Sequence, residues 1–178
     1  MKKALVTGSS GFIGYFVSKK LLENGFEVVG VDDLNDYYDV ELKKSRQEML
    51  VTNFSSFGVY NEKIQKPEFL KGLFKENRFD IIVHLAAQAG VRYSIENPRT
   101  YLENNIIGTF EILEASRLYP PAHLLIASTS SAYGANTSMP FFEHEKADHQ
   151  MSFYAASKKS TESMAHSFSH IYKIPITM

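Results

Sequence analysis

The chain has 178 residues, of which 44% are hydrophobic and 22% are charged, an ordinary composition for a soluble globular protein with one core. Nineteen Lys and Arg residues against twenty Asp and Glu give a net charge of −1, so no basic excess is available to bind nucleic-acid phosphates. The lack of cysteine excludes disulfides and thiolate metal sites. The apolar runs are too short for a membrane span or for a signal-peptide core. We therefore expect a cytoplasmic protein that binds neither nucleic acid nor membrane.

Short apolar segments alternate with helical patterns along the chain. The sequence predicts, in order, a strand at 4–7, a helix at 12–24, a strand at 27–31, a helix at 40–50, a strand at 57–60, a helix at 67–77, a strand at 80–85, a helix at 98–118, a strand at 123–127 and a helix at 152–172. This alternation predicts an α/β fold: a doubly wound parallel sheet with helices on both faces. Residues 173–178 are typical of the beginning of a sixth strand, so we expect the chain to be the front part of a longer protein.

Two of the helices carry start signals. Asn97 is a capping residue type that precedes Pro98, and Ser152 stands where the last helix begins. In the helix at 12–24, apolar residues at three- and four-residue spacing share one face: Ile13, Phe16, Val17, Leu21 and Leu22.

A glycine-rich turn, Gly8-Ser9-Ser10-Gly11-Phe12-Ile13-Gly14, joins the first strand to the first helix. Glycines here allow a tight turn and close approach to a pyrophosphate, which the helix N-terminus attracts. Asp32 ends the second strand, where a carboxylate can accept both hydroxyls of an adenosine ribose. It would repel a 2′-phosphate, Asp33 adds to that repulsion, and no arginine is adjacent. The pattern predicts NAD rather than NADP; the alternative is a structural turn followed by a helix-capping aspartate.

Tyr154 and Lys158 are four residues apart on the last helix and so share a face. The Lys158 ammonium favours the phenolate form of Tyr154. Such a phenolate can take a proton from a sugar hydroxyl while hydride leaves the same carbon. The alternative for this pair is a solvated helix face.

Polar residues at two further places fit the same site. The end of the fifth strand is a run of hydroxyls that we expect to point towards the cofactor crevice: Ser128, Thr129, Ser130 and Ser131. Asn105 lies among apolar residues of the helix at 98–118, where a buried amide needs hydrogen-bond partners. The alternatives are a polar turn and a solvent-facing amide.

We expect no metal site. His166 and His170 are four apart on the last helix, but no Glu follows His166 and no third ligand is evident. The acidic residues at 32–36 lack the glycine of a calcium loop.

Together these features resemble the extended short-chain dehydrogenase/reductases, and within them the NAD-dependent nucleotide-sugar epimerase/dehydratase family. The motifs that carry the resemblance are Val6-Thr7-Gly8-x-x-Gly11-Phe12-Ile13-Gly14, His84-Leu85-Ala86-Ala87, Asn105-x-x-Gly108-Thr109, Ser128-Thr129-Ser130, Tyr133-Gly134 and Tyr154-x-x-x-Lys158. Three further segments are similar to the UDP-glucuronate 4-epimerase group, which includes capsular polysaccharide biosynthesis proteins: Gln88-Ala89-Gly90-Val91-Arg92-Tyr93-Ser94, Asn35-Asp36-Tyr37-Tyr38-Asp39 and Pro140-Phe141.

The resemblance implies a UDP-sugar 4-epimerase that works through a 4-keto intermediate, with a Rossmann-like NAD domain at 1–178 and a C-terminal substrate domain that this sequence lacks. It assigns catalysis to Thr129, Tyr154, Lys158 and Asn105. It assigns cofactor binding to Gly8, Gly11, Phe12, Ile13, Gly14, Asp32, Leu85, Ala86, Ala87 and Lys158. Substrate contacts fall to Gln88, Arg92, Ser130 and Ser131. It also implies a homodimer through the helices that begin near Pro98 and Ser152.

The sequence departs from the related patterns at two places. The Asp with which the family binds adenine aligns with Lys63, before Ile64, and an ammonium cannot accept the adenine amino hydrogens; the alternative is a shifted alignment in this weakly patterned segment. Sugar dehydratases of the superfamily carry Asp-Glu where this chain has Ser130 and Ser131, which argues against dehydration. Two other hypotheses remain: an NAD-binding module without turnover, and another nucleotide-sugar oxidoreductase that exchanges NAD freely and accumulates NADH.

Overall fold

A computed structural model describes all 178 residues of the chain. Six parallel strands form one sheet in the order β3-β2-β1-β4-β5-β6. The strands are β1 (Lys3–Thr7), β2 (Glu27–Val31), β3 (Phe57–Tyr60), β4 (Ile81–His84), β5 (His123–Ile126) and β6 (Ile176–Thr177). The helices are α1 (Phe12–Glu23), α2 (Val40–Asn53), α3 (Pro67–Asn77), α4 (Tyr93–Glu96), α5 (Pro98–Tyr101), α6 (Gly108–Leu118) and α7 (Phe153–Tyr172). A π-helix, Leu102–Ile107, joins α5 to α6, and a 3₁₀-helix spans Ser130–Tyr133.

Helices pack on both faces of the sheet because apolar residues of its central strand point to both sides. Leu5 of β1 packs with α3, α6 and α7 on one face, whereas Ala4 and Val6 pack with α1 and α2 on the other. The predicted doubly wound, Rossmann-like fold is therefore confirmed. On the α1–α2 face the cover stops short of β5, where Leu125 is 39% exposed.

The strand order reverses between β1 and β4. The chain moves outward from β1 through β2 to β3, then returns across the sheet to place β4 on the other side of β1. Connections therefore leave β1 and β4 in opposite directions, which opens a crevice at the carboxyl ends of these strands. The glycine-rich turn after β1 and the residues after β4 face each other across this crevice.

The structure corrects the face of α1 that the periodicity suggests. Ile13 and Phe16 are 60% and 53% exposed, and the residues that α1 buries are Gly14, Ser18 and Leu22. The reason is close packing at the first turn: a Cβ on Gly14 would lie 2.0 Å from the carbonyl oxygen of Gly8. Small residues must therefore face the strand at this turn, and Ile13 and Phe16 turn away, whereas Val17, Leu21 and Leu22 pack against the core as expected.

The helix expected at 98–118 is also not regular, because residues 102–107 form π-helical turns. Asn97 makes no side-chain capping bond, contrary to expectation. Ser152 caps α7 as predicted, since its Oγ accepts the N–H of Ala155 at 3.0 Å. None of the helices combines the length and apolar character needed to cross a bilayer.

Candidate functional site

A cavity of about 190 Å³ lies at the carboxyl ends of β1, β2 and β4. The glycine-rich turn forms its floor, the segments after β2 and β3 form one wall, and the segment after β4 forms the other. Its lining residues are Gly8, Gly11, Val31, Asp32, Asp33, Asn35, Tyr37, Tyr38, Lys43, Glu62, Ile64, Gln65, Leu85, Ala86, Ala87, Gln88, Ala89 and Asn104. Seven residues predicted to bind cofactor or substrate thus meet here: Gly8, Gly11, Asp32, Leu85, Ala86, Ala87 and Gln88.

The glycine-rich turn is held close to its neighbours by its backbone. Gly8 has a φ of 71° and donates its N–H to the carbonyl oxygen of Val31 at 2.7 Å. A Cβ at Gly8 would lie 2.9 Å from the backbone nitrogen of Ala86, across the crevice. Only glycine therefore fits between the turn and the segment after β4. Side chains are excluded from the floor, which leaves backbone free to approach a ligand.

Asp32 lies where the sequence predicts, directly after β2 and facing the cavity. It is 8% exposed, and its carboxylate accepts the N–H groups of Ser10 and Leu34, each at 3.0 Å. Burial raises the pKa of Asp32, and the N–H groups of Leu34 and Ser10 partly oppose that rise. The carboxylate thereby links the end of β2 to the glycine-rich turn.

Helix α2 brings two cations to the same end of the cavity, and the sequence analysis assigned neither. The Nζ of Lys43 donates to the carbonyl and side-chain oxygens of Asn35, at 2.7 and 2.9 Å. Arg46 Nη1 lies 3.4 Å from the carbonyl oxygen of Ser10. No arginine neighbours Asp32 in the sequence, but the fold places Arg46 against the glycine-rich turn. The three-residue spacing of the two cations on one helix face was a signal that could have indicated them.

The loop after β3 brings several side chains to the region of the expected adenine site, and Lys63 lines an adjoining cleft. Lys63 is exposed and does not line the cavity, whereas its neighbours Glu62 and Ile64 do, followed by Gln65. The Glu62 carboxylate pairs with Lys66 at 2.6 Å. The acidic side chain that lines the cavity in this loop is therefore Glu62, one residue before Lys63.

His84, at the end of β4, organises the wall opposite Asp32. Thr7 Oγ1 accepts the N–H groups of Leu85 and Ala86, each at 3.1 Å. Because its oxygen already accepts two hydrogen bonds, the Thr7 hydroxyl donates its own hydrogen to His84 Nδ1 at 2.7 Å. The other ring nitrogen then donates to Thr109 at 3.0 Å. Burial, helped by the charge of Lys158, lowers the pKa of His84 to about 3. The ring is consequently neutral and fixes the backbone that lines the cavity.

Asn105 joins this wall to α7. Its Oδ1 accepts the N–H of Gln88 at 2.7 Å, and its Nδ2 donates to the carbonyl oxygen of Gln88 at 3.0 Å and to Ser157 Oγ at 2.9 Å. Ser157 in turn donates to the carbonyl oxygen of Tyr154 at 2.7 Å. Asn105 is 1% exposed and sits within the π-helix, a distortion that often marks functional positions. The prediction of a buried, partnered amide is confirmed.

Tyr154 and Lys158 lie one turn apart on α7, beyond the cavity. Lys158 is 7% exposed, and its Nζ donates to the carbonyl oxygen of Ala127, after β5, at 2.8 Å. Burial lowers the pKa of Lys158 to about 8, an effect that the Glu162 carboxylate opposes. The half-buried ring of Tyr154 packs edge-on against Tyr101, with centroids 5.9 Å apart. The pair therefore stands between the end of β5 and the wall that Asn105 holds.

The predicted hydroxyl cluster stands beside α7 rather than in the cavity. Ser128 Oγ donates to Glu162 at 2.6 Å, and Thr129 Oγ1 accepts the N–H of Ser131 at 3.2 Å. Ser128 and Thr129 line a separate cleft of about 420 Å³, and Ser130 is exposed. Their roles at the substrate oxygen stay predictions.

Four other predicted site residues lie outside the cavity, and one of them, Gly14, is buried in α1. Phe12 and Ile13 are 66% and 60% exposed, and Arg92 is exposed at the start of α4. His166 and His170 are also exposed on α7, with ring centroids 6.5 Å apart. No three His, Asp or Glu side chains converge in a way that could hold a metal ion.

Comparison with known proteins places this geometry in a family. Residues 5–178 match the sequence profile of the family described as GDP-mannose 4,6 dehydratase. The chain belongs to this family. The predicted resemblance to nucleotide-sugar epimerases and dehydratases is thereby confirmed.

Individual relatives are similar over nearly the entire chain. Protein CapI of Staphylococcus aureus is 49% identical over 175 residues, which cover 98% of this chain and 52% of CapI. A probable UDP-glucuronate 4-epimerase of Rhizobium meliloti (strain 1021) is 46% identical over 173 residues, which cover 97% of this chain and 50% of that protein. The crystal structure of UDP-glucuronic acid 4-epimerase from Bacillus cereus, in complex with UDP-glucuronic acid and NAD, matches with a TM-score of 0.90 and 34% identity. The matched region covers 98% of this chain and 55% of the Bacillus cereus chain. The chain thus spans about half the length of the proteins it matches.

Proposed function

We propose that this chain supplies the NAD site and the proton-transfer groups of a UDP-sugar 4-epimerase acting on UDP-glucuronate. The observation that carries the proposal is the link from the cavity to α7. Gln88 lines the cavity, and the Asn105 side chain is hydrogen-bonded to the backbone of Gln88. Ser157 is hydrogen-bonded both to Asn105 and to the carbonyl oxygen of Tyr154. A nucleotide site and a tyrosine–lysine pair are thereby held in one rigid frame.

Groups that line the cavity match the pyrophosphate, the adenosine ribose and the adenine of NAD. The side-chain-free floor at Gly8 and Gly11 and the N-terminus of α1 suit the pyrophosphate. The carboxylate of Asp32 suits the adenosine ribose hydroxyls and would repel a 2′-phosphate placed against it, although Lys43 and Arg46 bring positive charge to the same end of the cavity. Glu62 stands where a carboxylate can accept adenine amino hydrogens. The chemistry that NAD supplies when bound is acceptance of hydride from C4 of the sugar and its return to the same carbon.

The chain's own residues would handle the proton. The Tyr154 phenolate takes the proton of the sugar 4-hydroxyl as C4 becomes a ketone, and gives it back when hydride returns to the opposite face. Lys158, with its pKa lowered by burial to about 8, still carries its charge at neutral pH and stands one helical turn from Tyr154. Thr129, at the end of β5, would hydrogen-bond the 4-oxygen.

Dehydration, the reaction in the family's descriptive name, fits these residues less well. Elimination of water needs an acid and a base next to the sugar, and the positions after Thr129 are occupied by Ser130 and Ser131, whose hydroxyls do not ionise near neutral pH. UDP-glucuronate is favoured because relatives named for that substrate match nearly all of this chain.

Proton NMR tests the proposal on this chain fused to the part of protein CapI that it does not cover, mixed with NAD and UDP-glucuronate. We expect the C4 epimer to form without net NADH, and a Y154F variant to form none. Bound NAD with no epimer would favour an NAD-binding module without turnover. Accumulation of NADH would favour a sugar oxidoreductase, and loss of water a dehydratase.

The homodimer also stays a proposal. Apolar side chains remain exposed along α6 and α7, where pairing of two copies was predicted; Phe110 is 41% and Ile171 60% exposed. Light scattering of the purified chain would show twice the mass of 20.2 kDa if these helices pair, and a single copy otherwise.

A further inference from the structure

The segment between β2 and α2 closes one side of the cavity, and we name residues 33–39 the strap. Both of its ends are fixed. Near β2, the carboxylate of Asp32 accepts the N–H of Leu34 at 3.0 Å, and Lys43 holds both oxygens of Asn35. Near α2, the Asp39 carboxylate accepts an N–H of the first helical turn at 2.9 Å. The strap is therefore anchored at its ends and through the N–H of Tyr37, which donates to Asn35 Oδ1 at 3.3 Å, whereas the Tyr37 side chain projects from its middle.

The middle of the strap reaches the far side of the cavity. The ring centroids of Tyr37 and Tyr93 are 5.0 Å apart, and the Tyr37 hydroxyl is so close to Gly90 that a Cβ there would meet it at 2.7 Å. Gly90 and Tyr93 follow β4, whereas the strap follows β2, and β1 lies between these two strands. The strap consequently crosses above the carboxyl end of β1, over the turn at Gly8 and Gly11.

The contact made by Tyr37 is the outer end of a row of rings. Tyr93 lies 6.3 Å from Tyr101, and Tyr101 lies 5.9 Å from Tyr154. Tyr101 is fully buried and its hydroxyl is bonded to the carbonyl oxygen of Ala89 at 2.8 Å, so this part of the row is a fixed wall. Tyr37, in contrast, is 45% exposed. The contact that can open is therefore the one between Tyr37 and the Gly90–Tyr93 segment.

We propose that the strap is a closure over the bound dinucleotide, and that the seating of Tyr37 on Gly90 and Tyr93 sets the rate at which the cofactor leaves. This inference rests on the proposed function. It has a chemical reason, because 4-epimerisation removes hydride from a carbon and returns it to the same carbon. A cofactor that left between these two steps would strand a keto sugar, so slow release serves this reaction.

Stopped-flow displacement measures that rate directly. The chain is loaded with NADH, whose fluorescence reports binding, and is then mixed with excess NAD. Loss of one aromatic contact changes a rate by up to about tenfold, so we expect Tyr37→Ala to release NADH about tenfold faster than the wild type. Tyr37→Phe, which keeps the ring, should restore most of the slow release. Tyr172→Ala is the matched control, because Tyr172 is also 45% exposed and also has one aromatic neighbour, Phe168, at 5.2 Å.

The outcomes separate the two proposals. Faster release from Tyr37→Ala, with Tyr172→Ala unchanged, supports the closure. NADH binding with equal release rates in the wild type and Tyr37→Ala overturns the closure and leaves the cofactor site intact. Equal acceleration in Tyr37→Ala and Tyr172→Ala overturns it as well, since the effect would then be one of general stability. If the folded wild type binds no NADH, the proposed function fails and the closure fails with it.

Discussion

Replacing Asn105 with alanine should disconnect the cavity from the helix that carries Tyr154. The amide makes three buried hydrogen bonds, two to the backbone of Gln88 and one to Ser157. Its removal leaves the N–H and carbonyl groups of Gln88 without partners. Each buried polar group without a partner costs about 1–3 kcal/mol, so the free energy of unfolding should fall by about 2–6 kcal/mol. For a chain of this length, that corresponds to a drop in Tm of roughly 4–24 °C.

Asn104 provides the matched control, one residue away. Its Nδ2 donates to the carbonyl oxygen of Thr100 at 2.9 Å, but the side chain is only half-buried, so water can replace the lost bonds. We expect Asn104→Ala to stay within about 1 kcal/mol of the wild type. Urea unfolding followed by circular dichroism measures both variants. An Asn105→Ala loss no larger than that of Asn104→Ala would refute the argument that Asn105 clamps the wall.

Three further predictions follow from single residues. Burial lowers the pKa of Lys158 to about 8 from its ordinary value of 10.5, so between these values the folded state binds fewer protons than the unfolded state. Urea titrations should therefore show that the free energy of unfolding of the wild type, minus that of Lys158→Met, rises by roughly 3 kcal/mol from pH 7 to pH 11. If this difference does not change with pH, the burial of a charged lysine is contradicted. Asp32→Asn should weaken NAD binding about 10- to 100-fold in calorimetry, because hydrogen bonds to a charged acceptor are each worth about 1.5–3 kcal/mol; unchanged affinity would remove Asp32 from the site. Gly14→Ala should unfold or strongly destabilise the chain, since its Cβ would lie 2.0 Å from the carbonyl oxygen of Gly8. Gly72→Ala is the control: its Cβ would have no neighbour within 4 Å, so thermal melts should show α3 stabilised by about 0.5–1 kcal/mol. Similar effects of the two glycine substitutions would show that the first turn is not tightly packed.

Most of the fold can be predicted from local patterns in the sequence. Apolar strands with turn residues between them predict the β–α alternation, and the glycines at 8–14 together with Asp32 predict where the crevice lies. The face of α1 was misjudged because hydrophobic periodicity assumes that large side chains face the core. Here close approach of helix and strand at Gly14 reserves that face for small residues.

Features that depend on distant contacts could not be predicted. The π-helix around Asn105 changes which residues share a face without leaving a mark in the apolar spacing. Lys43 reaches the cavity only because α2 packs back towards the glycine-rich turn. The loop after β3 is a further example, since the sequence does not show that Glu62, Ile64 and Gln65 line the cavity while Lys63 lines an adjoining cleft.

The most direct test of the proposed cofactor site is a thermal melt of the chain, stripped of bound nucleotide, with NAD, with NADP and with no addition. A ligand that binds only the folded state adds about 2.7 kcal/mol at one hundred times its Kd, which for this length raises the Tm by roughly 5–10 °C. We predict a concentration-dependent rise of this size with NAD and a much smaller one with NADP. No rise with NAD, or an equal rise with both, would contradict the assignment of the glycine-rich turn and Asp32 to an NAD site.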